Sequence, residues 1–264
     1  PDGNCETSSS TTITFNTDCS HIDFDGIDDY IYYGDNHNFS SGSFTIEAWV
    51  KPGDLSGTRT VLSKRNSKDL ATGGFDLIVN SGSPTFRWGS NSITTTSKFT
   101  SPTRWYHLAV TYNGSEYKLY VDGIRMATKS GSNPASTTDP FLIGGMYQTE
   151  TPNNPINYFE GWIEEVRLWG TNLSEEQLHF IMNQRLSVGS SPIRGKIIPL
   201  DIPKNSDYNT NLNWSDLKGY YQLISAQVSD GISLDLSNSG INGDLRNIET
   251  DQKNTAPLPY ISAE

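Results

Sequence analysis

Between Trp105 and Lys129 the chain runs as three alternating stretches separated by two dipeptides that reverse its direction. Trp105 to Tyr112 stops at Asn113-Gly114, Tyr117 to Val121 stops at Asp122-Gly123, and Ile124 to Lys129 follows. Asn-Gly and Asp-Gly between such runs spell β-hairpins, because both central residues of a type I′ turn need positive φ. The segment from His21 to about Leu186 continues in the same manner. In Phe44-Thr45-Ile46-Glu47-Ala48-Trp49-Val50, the residues Phe44, Ile46, Ala48 and Val50 share one face and Thr45, Glu47 and Trp49 the other. Lys51-Pro52-Gly53 ends that strand. Phe75 to Val79, Thr85 to Trp88, Phe141 to Gly144 and Trp162 to Trp169 read as further strands.

One helix is predicted. Ser174-Glu175-Glu176-Gln177 is a capping box, in which the Ser side chain caps a backbone N–H and Gln177 reaches back. Leu178, Ile181, Met182 and Leu186 then recur on one face of about three turns, which packs on the sheet edge. After Val188 the text is richer in Asn, Asp and Ser, with Pro192, Pro199 and Pro203 marking an extended linker. Tyr220 to Leu223 and Ile232 to Leu234 are strand-like pieces within it. This divides the chain into an N-terminal segment, 1–20, a β-sandwich, 21–187, and a linker with a C-terminal extension, 188–264. The extension either docks on the sandwich or leads to a module beyond it.

The 264 residues suit one large sandwich with a small appendage, and aromatics at 11% suit both strands and sugar-facing surfaces. A net charge of −11 excludes nucleic acid and anionic membranes as partners, since both need a basic surface. No stretch reaches the ~20 apolar residues of a membrane span, and no signal peptide is visible. Cys5 and Cys19 have no His or third Cys beside them, which makes a poor zinc site. A Cys5–Cys19 disulfide tying down the N-terminus is the expectation, and it implies an oxidising compartment.

Five segments together resemble the laminin G-like modules, related to pentraxins, of the concanavalin A-like lectin/glucanase superfamily. They are Ile22-Asp23-Phe24-Asp25-Gly26-Ile27-Asp28-Asp29-Tyr30, the Phe44 to Pro52 strand, Trp105-Tyr106-His107-Leu108-Ala109-Val110-Thr111-Tyr112, Leu119-Tyr120-Val121-Asp122-Gly123, and Phe159-Glu160-Gly161-Trp162-Ile163-Glu164-Glu165-Val166-Arg167-Leu168-Trp169. They occur in family order. The resemblance implies an all-β fold, an antiparallel two-sheet jelly-roll sandwich, used as a module in adhesins, carbohydrate-active enzymes and large cell-surface proteins of Bacteroidetes-type bacteria. Trp214-Ser215-Asp216-Leu217-Lys218-Gly219-Tyr220-Tyr221 is similar to a segment that commonly precedes such a module; here it follows one.

The best site is Asp25-Gly26-Ile27-Asp28-Asp29, three carboxylates around a glycine. They can present hard oxygen ligands to Ca²⁺ from a tight loop, and the resemblance implies a structural Ca²⁺ there. The same residues also spell an Asp-rich turn with capped backbone groups. Glu164 is a candidate further ligand: alternation puts it with Val166 and Leu168 on an apolar face, where a carboxylate needs a metal or hydrogen bonds. Glu165 would then share the opposite face with Arg167 as a surface ion pair. Trp88, Tyr147 and Tyr158 lie near loops and are candidates to stack on a glycan or to pack at an edge, while Trp49, Trp105, Trp162 and Trp169 lie within strands as structural residues.

The Glu-x-Asp-x-x-Glu strand of the superfamily's hydrolases is missing from the sequence, and His21, His37, His107 and His179 have no nucleophile or zinc context. The acidic pattern of the pentraxin double-calcium site is also absent after Leu142-Ile143-Gly144-Gly145. The expectation is a non-enzymatic, secreted or cell-surface module that binds an extracellular glycan or surface protein and is stabilised by Ca²⁺. A structural spacer with no ligand of its own is the alternative, and an enzyme domain a more distant one.

Overall fold

Alternation of apolar side chains fixes which residues meet between two sheets. The computed structural model describes residues 6–9, 12–15, 21–67, 73–149, 151, 154–196 and 212–248. Cys5 and Cys19 lie outside the described residues. The strands are β1 (Glu6–Ser9), β2 (Thr12–Phe15), β3 (Asp23–Asp25), β4 (Tyr30–Tyr32), β5 (Phe44–Pro52), β6 (Thr58–Lys64), β7 (Phe75–Asn80), β8 (Ser83–Trp88) and β9 (Asn91–Thr94). They continue as β10 (Tyr106–Tyr112), β11 (Glu116–Val121), β12 (Ile124–Ser130), β13 (Leu142–Ile143), β14 (Glu160–Trp169), β15 (Leu217–Tyr221), β16 (Val228–Ser229), β17 (Ile232–Ser233) and β18 (Gly243–Arg246). Apart from a β1–β2 hairpin they form two antiparallel sheets. The first runs β12-β11-β10-β5-β14-β15, with β3 also paired to β14, and the second runs β16-β17-β18-β4-β13-β6-β7-β8-β9. The β10–β11 and β11–β12 hairpins fall where Asn-Gly and Asp-Gly place them.

Phe44, Ile46, Ala48 and Val50 of β5, with Leu108 and Val110 of β10, face Ile31, Leu77, Val79 and Phe86 of the second sheet across the main core. The first sheet is covered on its other side as well. Ala109, Tyr120 and Trp169 pack there against Leu178 and Ile181 of the helix α1 (Glu175–Ile181) and against Leu186, Trp214 and Tyr220. This double burial explains why both faces of β5 are withdrawn from water.

The capping box of α1 is formed as the sequence specifies, but the helix ends at Ile181 with Met182 as its cap, short of three turns. Leu186, expected on the helix, instead pairs with Gly195, and its N–H donates to the Tyr220 hydroxyl at 3.2 Å. The turn carries Leu186 into the second apolar cluster.

Residues 212–248 contribute to both sheets. β15 pairs with β14, and β18 pairs with β4, so this segment lies on the sandwich. Among the described residues no helix is long and apolar enough to cross a membrane.

Candidate functional site

The β3–β4 connection folds around its own carboxylates. Asp25 Oδ1 accepts the N–H of Ile27 at 2.7 Å and of Asp28 at 3.3 Å, and Asp29 Oδ2 accepts the N–H of Asp25 at 2.8 Å. Gly26 adopts φ +77, where a Cβ would sit 2.8 Å from that of Glu160, so the position needs glycine. The turn brings carboxylate oxygens of Asp25, Asp28 and Asp29 within 4.8 Å of one another. Asp29 is buried, Asp25 half-buried and Asp28 exposed. The capped turn of the sequence reading is formed.

More negative charge lies alongside. Glu160 pairs with Asp25 across β14 and β3, and Trp162 pairs with Asp23. Burial, with Asp25 and Glu160 close by, raises the pKa of Asp23 to about 6 against the opposing pull of Lys51. Arg59 binds Asp54 at 2.6 Å and reaches Glu160 at 3.4 Å. Hard oxygen donors gathered this way suit Ca²⁺.

The structure brings Tyr158 to this loop. Its ring lies 6.4 Å from that of Tyr30, and burial, together with Tyr30, Asp28 and Asp25, pushes its hydroxyl pKa up to about 12. Tyr147 is half-buried earlier in the β13–β14 connection that carries Tyr158, and its carbonyl accepts the Ser67 N–H at 2.9 Å. Trp88 is elsewhere. It is 2% exposed and stacks on Tyr117 with ring centroids 3.9 Å apart, because β8 turns Phe86 and Trp88 together into the core. It offers no face to a ligand.

Glu164 does not join the acidic loop either. It is fully buried beside His21, Oε1 to Nδ1 2.5 Å, and burial raises its pKa. A bulge in β14 is the reason: Glu164 pairs with Trp49 but Arg167 with Glu47, so an extra residue intervenes. Val166 and Leu168 face the main core, while Glu164, Arg167 and Trp169 face outward under α1. Glu165, at φ +49, occupies the bulge. Its pair with Arg167 is a buried one at 1% exposure on each side, and not a surface pair. Tyr220 donates to Glu165 at 2.8 Å, Trp169 Nε1 donates to Glu47 at 3.0 Å, and His107 Nε2 lies 3.1 Å from Glu47. Burial acts to raise the Glu47 pKa, but Arg167 and His107 outweigh it and hold the carboxylate below its usual range.

Two tryptophans assigned to structure by the sequence are half-exposed, Trp105 and Trp162; Trp49 and Trp169 are buried as expected. Their alternation was legible, but the end of the cover over the first sheet was not.

A concanavalin A-like sandwich with an acidic loop at the edge of one sheet defines the class of this protein. A sequence profile of the Laminin_G_3 family, concanavalin A-like lectin/glucanases superfamily, matches residues 25–179, and the chain belongs to that family. No curated protein sequence matches the chain. Its fold is similar to that of a candidate carbohydrate-binding protein from Bacteroides ovatus, at 21% identity and a TM-score of 0.62, covering 96% of this chain and 67% of that one. It is also similar to the CBM40 module of the Ruminococcus gnavus IT-sialidase bound to α2,3-sialyllactose. That match has 17% identity and a TM-score of 0.51 and covers 60% of this chain and 93% of the module.

Proposed function

We propose that the chain is a carbohydrate-binding or adhesion module of a larger secreted or surface protein, stabilised by Ca²⁺. The observation that carries this reading is the convergence of the Asp25, Asp28 and Asp29 carboxylates within 4.8 Å, with the half-exposed Tyr158 beside them. Asp25, Asp28 and Asp29 would hold the ion, which fixes the β3–β4 loop beside which Tyr158, on the β13–β14 connection, packs against Tyr30. The two structures of similar fold, one described as carbohydrate-binding and one with a sialylated sugar bound, support the same reading. Binding is favoured over hydrolysis because the adjacent Glu164 and Glu165 are buried and committed to His21 and Arg167. In an extracellular setting Cys5 and Cys19 would be joined, which mass measurement after alkylation without reductant tests directly.

A ligand present at a hundred times its Kd stabilises the folded state by about 2.7 kcal/mol. Excess Ca²⁺ is therefore expected to raise the melting temperature, EDTA to reverse the rise, and Asp28→Ala to abolish the response. A melt indifferent to both additions counts against the ion. The extensive cover on the first sheet favours a second reading, a spacer without its own ligand. A glycan array probed with the intact chain separates the two, since a spacer binds nothing on it.

A further inference from the structure

The outer face of the first sheet is buried at Glu47, Trp49 and Glu164, but at the β3 end Asp23, Lys51 and Trp162 are half-exposed. Pairing sets these three in a row, with Trp162 directly opposite Asp23 on one side and Lys51 on the other. Directly paired residues project to the same side of a sheet, on strands about 4.8 Å apart. Trp105 continues the row. It precedes Tyr106, which pairs with Val50, and its ring centroid lies 6.5 Å from that of His21, the partner of Glu164. Lys51 Nζ lies 4.6 Å from the centre of the Trp162 ring. Of the six tryptophans, Trp49, Trp88, Trp169 and Trp214 are buried, so this one end of the sheet gathers both half-exposed indoles.

We propose that Trp162, Lys51 and Trp105, with Asp23 at the margin, are the glycan-contacting face, and that it takes a neutral pyranose chain. The inference rests on the carbohydrate-binding function proposed above and deepens it. The C–H face of a pyranose is apolar and meets the electron-rich face of an indole, while ring hydroxyls need donors and acceptors at the edge of the contact. Lys51 supplies the donor and Asp23 the acceptor. Charge selects the class of sugar. Asp25, Asp28 and Asp29 outweigh the charge of the divalent ion they would hold, and Asp23 and Glu160 add to them against Lys51, with Arg59 shared between Asp54 and Glu160, so the surroundings repel carboxylated and sulfated sugars.

The test uses the full chain on an array of neutral, sialylated and sulfated glycans, followed by titration with the best neutral binder. The expected result is binding to a neutral glycan, weakened at least tenfold by Trp162→Ala and several-fold by Lys51→Ala. The Trp162 indole N–H resonance of the unaltered protein should also move on saturation, which decides the matter if Trp162→Ala fails to fold. Full affinity in both variants with a stationary Trp162 resonance overturns this face and leaves the carbohydrate-binding function standing. Tighter binding of sialylated or sulfated glycans than of neutral ones overturns the assigned sugar class. Binding to no glycan at all overturns both the face and the function.

Discussion

Arg167 shows how a charge can be kept far from water. Its guanidinium donates to Glu165, to the carbonyl of Ile181 at 2.9 Å and to that of Gln184 at 2.6 Å, and lies 3.4 Å from Glu47. Burial favours the neutral form, but Glu165 and Glu47 reverse that preference and keep the cation. Removing one member of such a buried set leaves the others uncompensated, which costs about 3–5 kcal/mol. Arg167→Met is expected to lose that much stability in urea unfolding; a loss below about 1 kcal/mol would show that the surrounding carboxylates find other partners. His37 makes a different prediction. Its Nε2 lies 2.7 Å from the Tyr221 hydroxyl, which itself donates to the Ile241 carbonyl, so the imidazole is the donor. Burial, aided by Lys64, lowers its pKa from 6.5 to about 3. Between these values the unfolded chain binds a proton that the folded one refuses, so stability falls as pH falls, by up to about 1.4 kcal/mol per pH unit. His37 sits at φ 60, a conformation asparagine tolerates. His37→Asn should flatten the acid limb of stability against pH, and parallel limbs in the two proteins would refute the assignment.

At the scale of elements, β14 shows what the sequence can and cannot disclose. Alternation holds from Glu160 to Ile163 and again from Val166 to Trp169, and each half taken alone reads correctly. The step between them is lost because a bulge adds one residue without a local signature, and this misplaces Glu164 and Glu165. Trp88 was legible in principle, since it shares its parity with the plainly apolar Phe86; its nearness to the Gly89-Ser90 turn suggested a loop-side role instead. Exposure of Trp105 and Trp162 was not legible, because it depends on where a covering layer drawn from α1, Leu186 and Trp214 stops. The acidic loop was legible because a turn is local. Gly161 in the same strand carries a sharper expectation. It adopts φ +116, and a Cβ there would lie 2.1 Å from the Lys51 carbonyl oxygen. Gly161→Ala should therefore cost at least about 2 kcal/mol in thermal or chemical unfolding, while an unshifted melt would mean that β5 and β14 can separate freely.

At the scale of the molecule, the family match over residues 25–179 and the folded unit differ in extent. β15 covers the edge of β14, β18 covers the edge of β4, and Trp214 and Tyr220 lie in the second apolar cluster. A chain ending at residue 187 exposes Trp169 and two strand edges, so it should bind a hydrophobic dye, aggregate, or unfold at a lower temperature than the full chain. An equally cooperative and equally stable melt would assign the extension no part in folding. The bulge bears on this attachment in one more way. Without Glu165, β14 would alternate regularly and every other residue of the strand would keep its present face. The residue is extra only against β5; on the β15 side its N–H donates to the Gln222 carbonyl at 3.5 Å, and its carboxylate serves Arg167 and Tyr220, so two of its three partners lie in the extension. Glu165 thus behaves as an insertion that sews the tail to the sandwich, and a sibling module one residue shorter at this point is expected to hold its tail by another stitch or to leave it loose.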